Sequence, residues 1–214
     1  MQCPDQGDFS FPPSTAQAHI VMIPPYMVSL QDLDVWVMDS ANACDGRATN
    51  ALTSQYQSQY EQLADTVQNP TWLLSHRPLW GFQTDDMPTL NQMLQTALAK
   101  TSAGALPANV RLSLAGHMHV FQSLSFAPNS ARAPQIVIGN SGVVLGNFLA
   151  QKSFSRTVDG QAAAGNTLKE FGFLNVAVAK GAWRGEVIGI SGEALMYCDS
   201  ANIARGEKIC LAAN

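Results

Sequence analysis

The sequence predicts an α/β fold with a mixed sheet, in which a parallel βαβαβ portion is followed by antiparallel strands. Two observations predict it. Between residues 30 and 116, short apolar runs alternate with segments that carry apolar residues at helical spacing. After residue 119, apolar runs follow one another with only turn residues between them, as in an antiparallel meander. Of the 214 residues, 46% are hydrophobic and 13% charged, which predicts a single domain over 1–214.

The chain begins with an extended lead-in, residues 1–30, in which PPST and IPPY interrupt regular structure. One edge strand is expected at its end, over residues 26–30. The run LDVWVMD, residues 33–39, is apolar and rich in β-branched and aromatic residues, as in a strand covered on both faces. TWLLS (71–75) and VRLSLAG (110–116) predict the second and third parallel strands.

Two helices are predicted to connect these strands by right-handed crossovers. In the first, Ser54 with Gln57 three residues later matches a capping box. Pro88 is placed to open the second helix. The predicted apolar faces are Tyr56, Tyr60, Leu63, Ala64 and Val67 in the first helix, and Leu90, Met93, Leu94, Ala97 and Leu98 in the second.

The second half of the chain carries the runs HVFQSLSF, PQIVIG, FGFLNVAVA, AWRGEVIGI and EALMYC, which predict the antiparallel strands. Between two of these runs, residues 150–170 are mostly small and polar. This segment is predicted to be a long, mobile surface loop.

Composition excludes several classes of function. With a net charge of −4 and 12 scattered lysines and arginines, the chain has no basic stripe for nucleic acid. It contains no apolar segment of the roughly 20 residues that a membrane helix needs, and its start lacks the features of a signal peptide. We therefore expect neither a nucleic-acid nor a membrane partner.

Four cysteines are too few and too dispersed for a zinc ribbon, but Cys198 and Cys210 flank a short loop between apolar segments. A disulfide between them is the favoured interpretation, and it indicates a periplasmic or secreted protein. Free, buried thiols in a cytosolic protein are the alternative.

Three of the four histidines follow predicted parallel strands: His76 after the second strand, and His117 and His119 after the third. The carboxyl ends of such strands meet at one edge of a sheet, where ligands bind. Imidazole is a common ligand of divalent metals. The sequence therefore predicts a metal site at this edge, with Gly116 providing an unusual backbone angle before the histidine pair.

Other interpretations of the same residues remain open. A histidine after a strand is often only a hydrogen-bonded turn residue. Asp39, at the end of the first strand, either joins the metal ligands or caps its own turn, and the second role is favoured. Motifs for a serine nucleophile, a P-loop or a dinucleotide site are absent from the sequence, so metal-assisted hydrolysis is the better class.

WLLSHRPLWG, LSLAGHMHVFQ and PQIVIGNSG, in this order, resemble the carboxyl-terminal half of the calcineurin-like metallophosphoesterase superfamily, which includes the purple acid phosphatases. The resemblance covers most of residues 26–145 and implies half of an αββα sandwich. It implies that His76 and His117 bind one metal ion and His119 the other. Asn140, in GNSG, would lie near the substrate, although a simple β-turn explains this motif equally well.

The family's amino-terminal motifs, Asp-x-His, Gly-Asp-x-x-Asp and Gly-Asn-His-Glu/Asp, are absent from the chain. The family site holds two metal ions, whereas three histidines without these carboxylates are expected to hold at most one divalent ion, zinc, manganese or iron. The leading interpretation is therefore an incomplete phosphoesterase for phosphomonoesters or phosphodiesters, whose amino-terminal half is missing. A non-catalytic module that dimerises through an exposed sheet face is the alternative, and a one-metal hydrolase using Asp39 is a third.

Overall fold

The structure is a computed structural model that describes residues 22–46, 48–82, 91–128, 130, 132–142, 144–146, 153–158 and 160–213. Pro88 and Leu90 of the second predicted helix lie outside these residues, as does most of the lead-in. Three layers pack on one another: two helices, an eight-stranded sheet and a four-stranded sheet.

The larger sheet has the strand order β1-β2-β3-β4-β6-β5-β8-β7. Neighbours β2, β3, β4 and β6 are parallel, and the remaining pairs are antiparallel. This confirms the mixed sheet that the sequence predicts. The strands are β1 (Tyr26–Ser29), β2 (Asp34–Met38), β3 (Thr71–Ser75), β4 (Val110–Ala115), β5 (Phe121–Phe126), β6 (Gln135–Ile138), β7 (Ser153–Val158) and β8 (Gln161–Leu168).

Two expectations for the second half of the chain are wrong. Strand β6 is not part of a simple meander, because it returns between β5 and β4 and pairs in parallel with β4. Most of the predicted loop over residues 150–170 is the antiparallel hairpin of β7 and β8. The small residues of this segment serve close packing, since a β-carbon at Gly165 would overlap the Ser123 carbonyl of β5.

Helix α1 (Asn50–Thr66) begins four residues before the predicted capping box, with Thr49 as its N-cap. Ser54 lies inside the helix, where its hydroxyl donates to the Asn50 carbonyl, so the capping box is wrong. Ala64 is exposed, although the rest of the predicted face is buried.

Helix α2 (Gln92–Ala99) begins after Asn91, whose side chain accepts a hydrogen bond from the Leu94 N–H. Its predicted face is confirmed, because four of its five residues are buried: Met93, Leu94, Ala97 and Leu98. None of the helices in the described residues is both long and apolar enough to cross a membrane.

A separate antiparallel sheet covers the face opposite the helices, in the order β12-β11-β10-β9. Trp72 of the larger sheet packs edge-on against Trp183 of the smaller one, with 5.7 Å between ring centroids. The predicted disulfide between Cys198 and Cys210 is present, and Cys44 is also disulfide-bonded. The elements are β9 (Gly172–Ala179), β10 (Ala182–Gly189), β11 (Ala194–Asp199), the short helix α3 (Ser200–Ala204) and β12 (Cys210–Ala212).

Strand β3 shows that the smaller sheet is not wide enough to cover the larger one. Leu73 points towards the helices and is fully buried, whereas Leu74 points to the other face and is 39% exposed. β3 is therefore fully covered on its helix-facing side and only partly covered on the other side.

We predict that Leu73→Ala lowers the free energy of unfolding by about 2–5 kcal/mol, since it leaves a cavity in the helix-facing core. The adjacent Leu74→Ala is the matched control, with a loss of less than about 1 kcal/mol. Urea unfolding followed by tryptophan fluorescence measures both. Equal losses for the two variants would contradict the assignment of faces.

Candidate functional site

His76 and His117 lie together at the carboxyl ends of β3 and β4. Ser75 pairs with Ala115 in the parallel ladder, and the Gly116 N–H donates to the His76 carbonyl at 3.0 Å. The two imidazole rings are 5.2 Å apart between centroids, at 70° to one another. The sheet therefore brings these two predicted residues into contact.

The turn that carries His117 has an unusual backbone. His117 adopts a φ of 63°, a left-handed conformation that is costly for a residue with a side chain. The sequence predicts an unusual backbone angle at Gly116, and this prediction is wrong. The positive φ lies one residue later, at His117, and the φ of Gly116 is not positive. The next residue, Met118, is buried, and a β-carbon at Gly139 would overlap its carbonyl. Close packing beneath the turn thus holds the histidine in place.

Asp45 completes this group, and the sequence analysis missed it. Its Oδ2 atom lies 2.8 Å from Nη1 of Arg77 and 3.0 Å from Nε2 of His117. Its Oδ1 atom accepts a hydrogen bond from the side chain of Asn91 at 2.8 Å. Asp45 follows β2, so the rule that strand ends converge would have pointed to it. Only Asp39, which is nearer to the end of β2, was considered.

The charges near Asp45 and His117 determine which atoms of these two side chains carry protons. Burial alone would raise the pKa of Asp45, but the hydrogen bond with His117 and the Arg77 guanidinium outweigh burial and lower that pKa. Nε2 of His117 also lies 2.9 Å from the Arg77 guanidinium, which is only a donor. The Asp45 carboxylate, 3.0 Å from the same nitrogen, only accepts, so we assign the proton to Nε2. His117 and Arg77 then both donate to one carboxylate oxygen, and the approach of Nη1 to Nε2 is a contact between two donors.

His76 remains neutral to lower pH than an ordinary histidine. Burial, followed by the neighbouring His117 and Arg77, lowers its pKa. A neutral imidazole is the form that binds metal ions.

His119 faces a different partner. Its Nδ1 atom lies 2.9 Å from the carbonyl oxygen of Val144, which can only accept, so Nδ1 carries the proton. This leaves a lone pair on Nε2. Metal-binding histidines commonly have this arrangement, in which the ring nitrogen that does not bind the metal donates to a backbone carbonyl.

Two further predicted residues make structural contacts. Asp39 accepts hydrogen bonds from the N–H groups of Ile23 and Ala41 at 3.0 and 3.1 Å, which is the turn-capping role. Asn140 is fully buried and donates to the Glu170 carbonyl at 2.8 Å. The Oδ1 atom of Asn140 has no hydrogen-bond partner among the described residues. Substrate binding by Asn140 stays a prediction.

The donor chemistry fits a divalent metal, but the number of donors does not. Within the described part of the chain, no three histidine, cysteine, aspartate or glutamate side chains lie close enough to hold an ion together. His76 and His117 form a pair, and Nε2 of His117 is occupied by Asp45. The described residues therefore show a histidine pair beside a carboxylate but no complete set of metal ligands, and no reaction step is derived through a metal ion.

No protein-family model matches the sequence, and no curated protein matches it. The fold is similar to that of a purple acid phosphatase from seeds of yellow lupin, Lupinus luteus, with a TM-score of 0.54 and 15% sequence identity. The similarity covers 79% of this chain and 31% of the lupin protein, so the chain spans about a third of that protein's length. The fold is phosphatase-like.

The lowered pKa of Asp45 predicts acid sensitivity. The pKa of an aspartate in the unfolded chain is about 4, and that of Asp45 in the folded chain is lower. The ionised carboxylate therefore stabilises the fold above about pH 4, and this stabilisation is lost as the pH falls through the pKa of the folded state. The free energy of unfolding should therefore fall more steeply between about pH 5 and about pH 2 in the wild type than in Asp45→Asn. Urea unfolding across this range measures the slopes. Asp65→Asn, at an exposed position of α1, should keep the wild-type slope, and a wild-type slope in Asp45→Asn would contradict the prediction.

Proposed function

We propose that this chain is the carboxyl-terminal portion of a metal-dependent phosphoesterase that hydrolyses phosphomonoesters or phosphodiesters. The observation that carries the proposal is the group of His76, His117 and Asp45 at the carboxyl edge of a sheet with a phosphatase-like fold. In the proposal, His76, His117 and His119 are metal ligands, and further carboxylates come from a segment outside this chain, in the same protein or in trans.

Each residue has a defined task in this proposal. His76 stays neutral to lower pH because its pKa is lowered, and the Nδ1–H of His119 donates to the Val144 carbonyl, which leaves Nε2 as the nitrogen for the metal. Asp45 accepts from Nε2 of His117 and keeps the ring in place, and Arg77 donates to the same carboxylate; a metal ion at this nitrogen would displace its proton. The Cys198–Cys210 disulfide supports a location in an oxidising compartment, the periplasm or the cell exterior.

Replacing a proposed ligand should weaken metal binding. We expect His117→Ala and His119→Ala each to lower the affinity for zinc or manganese by at least about tenfold, since a lost ligand costs no less than a lost supporting contact. Isothermal titration calorimetry measures the affinity. Asp65→Ala, at an exposed position of α1, is the control and should bind as the wild type does. Unchanged binding in His117→Ala would show that the ligand assignment is wrong.

The catalytic part of the proposal is tested with p-nitrophenyl phosphate and bis(p-nitrophenyl) phosphate in the presence of manganese, iron or zinc. We expect this chain alone to be inactive, because its histidines lack the carboxylates of a two-metal site. A version extended upstream should be active, and should lose activity in His76→Ala. An inactive extended version, or activity that survives His76→Ala, would contradict the proposal.

One observation favours a second function, self-association. Tyr26, Val37, Leu74 and Leu114 lie in one row across the larger sheet, on the face towards the smaller sheet. Tyr26 and Leu74 are exposed because the smaller sheet does not reach them. Two exposed apolar residues in a row with two partly buried ones favour burial against another molecule.

If this face joins two copies of the chain, a charge at its centre should separate them. We expect the wild type to sediment as a dimer at micromolar concentration and Leu74→Lys to sediment as a monomer, as measured by analytical ultracentrifugation. Leu211→Lys is the matched control, because Leu211 is equally apolar and exposed but lies on β12. A monomeric wild type, or a dimer that survives Leu74→Lys, would exclude this interface.

A further inference from the structure

A cavity of about 680 Å³ opens at the amino-terminal ends of β3 and β4. It begins at Pro70 and Val110, whereas the histidines follow the other ends of the same strands. Arg111 in its lining and His117 are six residues apart, which corresponds to about 20 Å of extended chain. The cavity is therefore separate from the candidate metal site.

Both sheets contribute to the walls of this cavity. Phe126 comes from β5 of the larger sheet, Trp183 from β10 of the smaller sheet, and Ile203 from helix α3. Leu106 and several prolines add further apolar surface. Cavities of this volume with mostly apolar walls and a few polar groups are typical sites for small organic molecules.

The charged side chains in the described lining of the cavity are all positive. Arg111, Arg132 and Lys180 line it, and its described lining includes no aspartate or glutamate. Arg111 and Lys180 form no ion pair in the described part of the chain, so their charges favour an anionic ligand. The whole chain has a net charge of −4, so this concentration of cations does not follow from its composition.

Arg111 is placed by an irregularity of the sheet. Thr71 pairs with Val110 and Trp72 pairs with Leu112, so Arg111 is the extra residue of a β-bulge. Bulges redirect a side chain and are common beside binding sites. In the part of the chain that the structure describes, Arg111 forms no ion pair.

Lys180 also lies at an unusual backbone position. Its φ is 51°, and that of Gly181 is 75°, so both central residues of the turn between β9 and β10 are left-handed. Such turns favour asparagine or glycine over lysine. The Lys180 N–H donates to Asp32, but the Lys180 side chain has no ion pair among the described residues.

Arg132 is the fixed member of the three. Its guanidinium lies 5.3 Å from the ring centroids of both Trp80 and Phe126, and it donates to the Val158 carbonyl at 2.9 Å. Arg132 and Leu106 also line a neighbouring cavity of about 270 Å³. A positioned guanidinium beside apolar space suits an anionic group that is joined to an apolar body.

We propose that this cavity binds an amphipathic organic anion. The anionic group, a carboxylate, sulfonate or phosphate ester, lies among Arg111, Arg132 and Lys180. The aromatic or aliphatic body packs against Phe126, Trp183 and Leu106. This site is independent of the phosphoesterase proposal, because it uses none of the same residues.

The test uses 8-anilinonaphthalene-1-sulfonate, an aromatic sulfonate that fluoresces when it is bound. We expect one saturable site per chain, and binding that weakens as sodium chloride is raised. Arg111→Gln and Lys180→Asn should each weaken binding by about fivefold to tenfold, the effect of losing one charge-assisted contact at a partly exposed site. Asparagine is chosen at position 180 because it tolerates the left-handed backbone.

Two controls separate this site from other binding. Arg184→Gln removes an exposed cation that does not line the cavity and should have no effect. Leu211→Lys replaces an exposed apolar residue that lies outside the cavity and should also have no effect. Binding that is absent, that persists unchanged in Arg111→Gln and Lys180→Asn, or that is lost only in Leu211→Lys would overturn the proposal.

A second measurement locates the bound dye. In ¹⁵N-resolved NMR spectra, the indole signal of Trp183 should shift on addition of the dye, whereas that of Trp36 in the helix-facing core should not. A shift of the Trp36 signal without one of Trp183 would place the dye elsewhere and would likewise overturn the proposal.

Discussion

The left-handed backbone of His117 is the constraint on which the candidate site depends. A residue with a side chain pays about 1–2 kcal/mol for this conformation, so the surrounding structure must hold it there. Three contacts do so: the bond from Gly116 to the His76 carbonyl, the buried side chain of Met118, and the close approach of Gly139. If the turn relaxed, the imidazole would leave both Asp45 and His76. The stability of the fold thus holds one side chain in a position that the turn alone would not favour.

The two ends of the parallel strands have opposite chemistry. The carboxyl ends of β3 and β4 carry histidines with a carboxylate, which suits a cation, and the amino ends carry arginine and lysine beside an apolar cavity, which suits an organic anion. The unequal widths of the two sheets add a third feature, the exposed row that contains Tyr26 and Leu74. One arrangement of layers therefore produces three surfaces that differ in charge and in apolar exposure.

The sequence predicted the parallel strands well because their signals are local. TWLLS stands between Pro70 and a histidine, and β3 occupies those five residues. The hairpin of β7 and β8 could not be predicted in this way, because its small residues are selected by packing against β5, a contact between distant parts of the chain. The second sheet was missed as a separate layer for a similar reason: alternating runs do not reveal which sheet they join. Asp45 has no motif of its own; its position after β2 was a signal, but the sequence does not show which of the two aspartates after β2 reaches His117 and Arg77.

The central claim is that the fold gives two of its histidines opposite tautomers, with Nδ1 of His119 bonded to the Val144 carbonyl and Nε2 of His117 bonded to the Asp45 carboxylate. Long-range ¹H–¹⁵N NMR spectra of the imidazole rings report these tautomers directly at neutral pH. The account predicts a proton on Nδ1 and a bare Nε2 for His119, a proton on Nε2 for His117, and a shift of the His119 Nε2 signal when zinc is added. A His119 ring that is protonated at Nε2 and does not respond to zinc would contradict it.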